Sequence, residues 1–131
     1  MLRGARGVID RNEKVLLGKR LKRDSFYGLW CTFGGAVEPG ETPEQALKRQ
    51  LKEELGIDIT EPEFLTVIET VAEDDPSETV QLHYLVRRYK DEIVNKSEHS
   101  EIRWFSMEEL ENLDMGWAGK AVLKQYMTRS K

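Results

Sequence analysis

The sequence predicts one α/β domain in which a mixed sheet stands between helices, and two hydrophobic patterns and one length argument predict it. Residues 79–89 alternate, with Val80, Leu82, Tyr84 and Val86 on one face and Gln81, His83 and Arg87 mainly on the other, the pattern of a half-buried strand. Residues 43–55 instead carry Leu47, Leu51 and Leu55 four apart, an apolar stripe that suits a helix lying on a core. At 131 residues and 39% apolar content, the chain has material for one compact domain over 1–131 and no room for a second.

In chain order, Ala5 to Ile9 and Lys14 to Gly18 read as the strands of a hairpin about a polar Asp10-Arg11-Asn12-Glu13 turn. Arg20 to Tyr27 is basic and polar and predicts a loop, and Leu29 to Phe33 predicts a short strand feeding a pair of glycines. Val37-Glu38-Pro39-Gly40 is a tight turn, because proline presets φ at one central position and glycine tolerates positive φ at the next. A helix follows at once. Thr42 is its N-cap, Pro43 suits its first position, Gln45 completes a capping box, and Gly56 ends it. Phe64 to Ala72 predicts a strand and Glu73 to Ser77 a loop, and the alternating strand comes next. Asn95 to Ser100 predicts a polar loop before a strand at Ile102 to Phe105. Ser106 caps a short helix through Leu110, and Ala118 to Arg129 is the last helix.

Charge and composition exclude several classes of function. A net charge of −4 leaves no broad basic footprint, so a nucleic-acid polymer is not the expected ligand, while small phosphorylated molecules remain open to local arginines and a metal. A single Cys31 excludes an internal disulfide, fits a reducing compartment, and reads as packing rather than as a nucleophile. No apolar run approaches the roughly 20 residues that span a bilayer, and the first residues form no signal-peptide core. The expectation is a soluble cytoplasmic protein with no membrane partner.

The chemistry concentrates in Gly35 to Ile57. Arg49, Gln50, Glu53 and Glu54 flank the leucine stripe on what reads as the more exposed side, with Arg49 and Glu53 one turn apart and Gln50 and Glu54 likewise. Two adjacent carboxylates repel each other, and a hard cation with oxygen ligands, Mg²⁺ or Mn²⁺, relieves that repulsion. An ordinary amphipathic helix accounts for the leucines but not for the glycines and acids together.

Gly35, Glu41, Arg49, Leu51, Glu53, Glu54, Gly56 and Ile57 stand at the spacing of the Nudix signature, and Gln50 is the one position that departs, where the pattern has glutamate. The chain therefore resembles the Nudix hydrolases, MutT-like enzymes whose fold is an α/β/α sandwich with a mixed sheet. The resemblance implies a Mg²⁺-dependent hydrolase of a nucleoside diphosphate linked to another moiety, either a nucleoside triphosphate or a nucleoside diphosphate sugar. It implies metal ligation by Glu53, Glu54 and the Gly34 carbonyl, joined by an acidic loop residue for which Glu98 is the candidate, and it gives Arg49 a structural and electrostatic role beside them. Relatives of this kind are often homodimers.

An amide at Gln50 takes no proton near neutral pH, so another base is needed. His99 is the candidate, since imidazole titrates near neutrality. GDP-mannose mannosyl hydrolases, a Nudix subgroup that also lacks that glutamate, use a loop histidine five residues before a tryptophan, and His99 stands five before Trp104. By this analogy Arg20 would contact the diphosphate and Tyr84 the substrate, with water attacking the sugar carbon. Ala36, where the subgroup has arginine, and the retained Glu53-Glu54 pair depart from it and leave room for attack at phosphorus. Trp117 reads as a core residue or as a platform for a purine. The alternative of a different class is a Nudix-fold domain that binds a nucleotide without turning it over.

Overall fold

The computed structural model describes residues 3–20, 29–69, 80–96 and 99–129. Strands β1 (Arg3–Arg11) and β2 (Lys14–Arg20) form the expected hairpin, with β1 longer at both ends and β2 longer at its C-terminal end than expected. Its tip is the turn at Asn12 and Glu13, both at positive φ (52° and 62°), which is the backbone twist a two-residue hairpin loop requires. The short lead-in strand is split into β3 (Trp30–Cys31) and β4 (Phe33–Ala36), because Trp30 and Cys31 pair with β2 whereas Phe33 to Ala36 pair with β1.

Helix α1 (Pro43–Leu55) has the termini its sequence specifies. Thr42 Oγ1 accepts from the Gln45 N–H, the Gln45 side chain accepts from the Thr42 N–H, and Gly56 closes the helix at φ 74° with its N–H on the Lys52 carbonyl. Strand β5 (Asp58–Thr60) follows, then β6 (Glu63–Glu69) and β7 (Val80–Val86). The alternating segment read as a single strand stops at Val86. Arg87 turns out to meet both Asp10 carboxylate oxygens at 3.2 Å, and β8 (Arg88–Lys90) then pairs with β5 in a separate two-stranded ribbon. Strand β9 (His99–Ser106) begins inside the segment read as a loop. Helices α2 (Met107–Glu111), with Ser106 as N-cap, and α3 (Trp117–Arg129) complete the order.

The main sheet has seven strands along the path β3-β2-β1-β7-β6, with β4 beside β1 and β9 beside β2. Only the β1–β7 pairing is parallel among the described strands, so the sheet is mixed. Each face has its own core. Ala5, Ile9, Leu16, Phe33, Tyr84 and Val86 meet Leu47, Leu51 and Leu55 of α1 on one side. Val8, Val15, Leu17, Leu85 and Phe105 meet Val122, Leu123 and Tyr126 of α3 on the other. No helix among the described residues is long and apolar enough to cross a membrane.

Candidate active site

The site is built where β4 passes under α1. Gly34 has φ 144°, and a Cβ there would fall 2.2 Å from the Ala5 carbonyl oxygen and 2.6 Å from the Arg6 Cα, so only glycine fits between the strands. At Gly35 a Cβ would fall 2.5 Å from Gln50 Nε2. The Gln50 amide therefore lies directly over Gly35, and the residue that departs from the signature is a lining residue of the site.

Arg49 fixes this turn to the helix. Its Nε donates to Glu41 Oε2 at 2.8 Å and its Nη2 to Glu41 Oε1 at 2.9 Å, a two-pronged pair, while Nη2 also reaches the Ala36 carbonyl at 3.1 Å. The Glu38 N–H donates to Glu41 Oε1 at 3.0 Å. These hydrogen bonds, Arg49 first, hold the Glu41 carboxyl down at about 2, and Glu41 in turn raises Arg49 above its ordinary value. The i, i+4 partner Glu53 stands farther off, at 3.7 Å from Arg49 Nη1. The principal partner of Arg49 is thus the turn residue Glu41, and the fork spans β4, the turn and α1 at once.

The two candidate carboxylate ligands differ sharply. Glu53 has a side chain 61% exposed, whereas Glu54 is 3% exposed and faces inward beside Leu47, Leu51 and Leu55. This corrects the expectation that both flank the stripe on the exposed side, since Glu54 follows Leu47 by seven positions and falls on the same face. The segment leading to Glu98 is tied to that helix end. Val94 N–H donates to the Leu55 carbonyl at 2.9 Å and Lys96 N–H to the Glu54 carbonyl at 3.0 Å, while Asn95 Nδ2 donates to the His99 carbonyl at 2.8 Å. Glu98 itself lies outside the described residues. Among the described residues no three His, Cys, Asp or Glu side chains gather to hold a metal ion, so the Gly34 carbonyl or residue 98 is needed to complete a set. The donors at hand are all oxygens, and they suit a hard divalent cation.

His99 opens β9 opposite Arg20, the last residue of β2. Its ring packs edge-on against Phe33 at 4.9 Å and fills the space over Gly18, where a Cβ would fall 2.6 Å from His99 Cδ2. Burial first, then the charges of Arg6 and Arg20, push its imidazole down to about 4. Arg20 and His99 are therefore together at one end of the β2–β9 ladder. Tyr84 is elsewhere: its ring is 5% exposed in the α1 core and meets Phe64 edge-on at 5.8 Å, so among the described residues it packs rather than facing a ligand. Cys31 also packs, with Sγ 3.4 Å from the Gly18 carbonyl. The side chain of Trp117 lies outside what the structure describes.

Sequence reasoning missed a second polar group on the α3 face of the sheet. Arg6, 7% exposed, donates from Nε to Thr32 Oγ1 at 3.0 Å and from Nη2 to the Thr32 carbonyl, and His83, 2% exposed, is its neighbour in the β1–β7 register. The only sequence signal was polar residues at inward positions of two strands.

A family model described as the NUDIX domain matches residues 1–126. The chain is 42% identical over 94 residues to an 8-oxo-dGTP diphosphatase of Proteus vulgaris, covering 70% of this chain and 81% of that one. It is 32% identical over 129 residues to the nucleoside triphosphatase NudI of an Enterobacter species, covering 90% and 91%. A crystal structure of a MutT NUDIX hydrolase from Burkholderia pseudomallei superposes with a TM-score of 0.82 at 29% identity, covering 95% of this chain and 96% of that one. With the glycine turn, the Arg49 fork and the inward carboxylate in place beneath that match, the chain belongs to the Nudix family of hydrolases.

Proposed function

We propose that the chain is a Mg²⁺-dependent pyrophosphohydrolase of nucleoside triphosphates, releasing a nucleoside monophosphate and pyrophosphate. The observation that carries this reading is the junction of β4 and α1, where the Gln50 amide lies over Gly35 and the Arg49 fork ties the turn to the helix that bears Glu53 and Glu54. The triphosphate substrates named for the Proteus and Enterobacter relatives support it.

In this assignment the Gly34 carbonyl, Glu53, Glu54 and Glu98 hold the cation, which would polarise the phosphate oxygens and offset charge developing at phosphorus. The rest falls to the chain. Arg49 keeps β4 and α1 in register through Glu41 and the Ala36 carbonyl, so the donors are placed before substrate arrives. Arg20 would meet the phosphates from the end of β2. Water adds to phosphorus as the bridging P–O bond breaks, its proton passing to a base while the electron pair leaves on pyrophosphate. His99 is the assigned base, because the Gln50 amide cannot accept that proton.

His99→Ala is expected to lower kcat about 100-fold, measured on the folded variant with saturating Mg²⁺; an unchanged rate would leave His99 a packing residue on Phe33. A second reading, attack at the sugar carbon of GDP-mannose, is favoured by Gln50 and by His99 standing beside Arg20. Chromatography after turnover in ¹⁸O-labelled water separates the two. Label in a nucleoside monophosphate or in pyrophosphate means attack at phosphorus, label in a free sugar means attack at carbon, and saturable binding with no product means a binding domain.

A further inference from the structure

Gly18 stands inside the seven-residue strand β2, where a glycine packs nothing and marks a close approach. Backbone conformation does not require it, since Gly34, Gly40 and Gly56 are the glycines at positive φ among the described residues and Gly18 is not one of them. The reason is space. A Cβ at Gly18 would fall 2.6 Å from His99 Cδ2, 2.7 Å from His99 Cγ and 2.9 Å from Phe33 Cε1. Two rings occupy the place that a side chain would take.

His99 reaches that place through an irregularity in the β2–β9 ladder. From the pair Lys14–Ser106 to the pair Lys19–Glu101 each step along β2 is matched by one step along β9, and then Arg20 pairs with His99 and Ser100 is passed over. In an unbroken register Ser100 would stand opposite Arg20, and His99 would turn to the other face of the sheet. The extra residue re-aims the histidine, as bulges beside functional sites do. Its ring then packs edge-on to Phe33 at 4.9 Å, while Nδ1 is buried with no hydrogen-bond partner among the described atoms. Packing, not a hydrogen bond to Nδ1, sets the orientation of the ring.

The two rings are not equally able to yield. Phe33 is 0% exposed in the same core as Leu16, Leu47 and Leu51, so displacing it would disturb the packing under α1. His99 is half-buried at the end of the ladder beside Arg20. A side chain at position 18 would therefore move the imidazole first. The place matters for the site, because Phe33 stands two residues before Gly35, over which the Gln50 amide lies.

We propose that Gly18 is a positioning residue for the reaction: its missing side chain, the edge of Phe33 and the bulge at Ser100 form a slot that holds the His99 imidazole on the α1 face, where the assigned base must stand. The chain can carry a side chain at 18 or an imidazole seated in the slot, but not both. The proposal deepens the hydrolase reading and rests on its assignment of His99 as base, whereas the slot itself rests on packing.

The test is Gly18→Ala, with circular dichroism and melting as folding controls. On dGTP in saturating Mg²⁺, kcat should fall about 10-fold, part of the roughly 100-fold expected for loss of the base, with KM changed less than about threefold. In a His99→Ala background the same substitution should change kcat less than about twofold, because residues that act through one group do not add. Losses that multiply, or a loss confined to KM, overturn the proposal. A second readout needs no turnover. The chain has two histidines, so its imidazole NMR spectrum holds two sets of ring signals, and His99→Ala identifies one of them. In the wild type the His99 ring protons should show nuclear Overhauser contacts to the Gly18 Hα protons and to the Phe33 ring, and Gly18→Ala should remove those to Phe33. Absence of these contacts in the wild type, or their survival in Gly18→Ala, overturns the slot, and the wild-type spectrum decides the matter if the variant does not fold. Full turnover in His99→Ala would remove the base assignment, whereas the ring contacts test the slot without it, so the two failures are told apart.

Discussion

The two faces of the central sheet are held by different means. On the α1 face Arg49 is shared by Glu41 and the Ala36 carbonyl, and the capping box closes the helix start, while His99 Nδ1 has no described hydrogen-bond partner. On the α3 face Arg6 is buried and bonded to Thr32, and both ring nitrogens of the buried His83 are without a described hydrogen-bond partner. The first face is organised before any ligand is present, as catalysis demands of groups that must not reorganise during reaction. The second keeps a neutral buried imidazole beside a buried guanidinium.

Removing the inward carboxylate should break the comparison most severely. Glu54→Gln is expected to lower kcat at least about 100-fold in saturating Mg²⁺. Full turnover in this variant would remove Glu54 from the metal assignment.

Core truncation on the two sides should cost alike in stability but not in rate. Leu51→Ala under α1 and Leu123→Ala under α3 both lie at 2% exposure or less, and each should lose about 2–5 kcal/mol by denaturant unfolding. Below the melting range only the Leu51 variant should also lose turnover, because Leu51 supports the helix that carries Glu53 and Glu54. Equal activity losses would show that the two faces are not separable.

A gain is expected at Gln50. Restoring glutamate places a carboxylate over Gly35, where the amide now lies, and should raise triphosphate turnover on the order of 10-fold if the geometry for attack at phosphorus is intact. A fall in rate would mean that the amide itself is needed there.

The smallest effect is the acid limb of stability. Glu41 is held at about 2 by Arg49, below the usual carboxylate value near 4.5. A depressed folded-state value means stability fully present above about 4.5 and lost as pH falls toward about 2. Glu41→Gln should therefore show a shallower decline of melting temperature across that window. An unchanged slope would mean that exposed screening leaves the fork electrostatically weak.

How much of this was legible depends on how local its cause is. Helix α1 was readable to its caps because Thr42, Pro43, Gln45 and Gly56 act on neighbouring backbone, and the hairpin was readable because alternation and turn residues are adjacent in sequence. The β5–β8 ribbon was not, since its three-residue strands around Ile59 and Tyr89 are too short to show a period. The inward turn of Glu54 is hidden because its charge favours the exposed side while its place in the leucine stripe puts it on the buried one. The Arg6 cluster was invisible for a different reason. Its members come from β1, β7 and the link between β3 and β4, whose register no local pattern states, and Thr32 is 26 positions from Arg6.

The two main-chain bonds from Val94 and Lys96 to the end of α1 leave a particular freedom behind. Backbone amides make the attachment, so any residue except proline can occupy those two positions without loosening it. The loop is anchored by what every amino acid but proline shares, and the side chains at those two positions are free to drift. New chemistry can be tried there by point substitution while the scaffold stays put, which is how one helix and one glycine turn can serve descendants with different substrates.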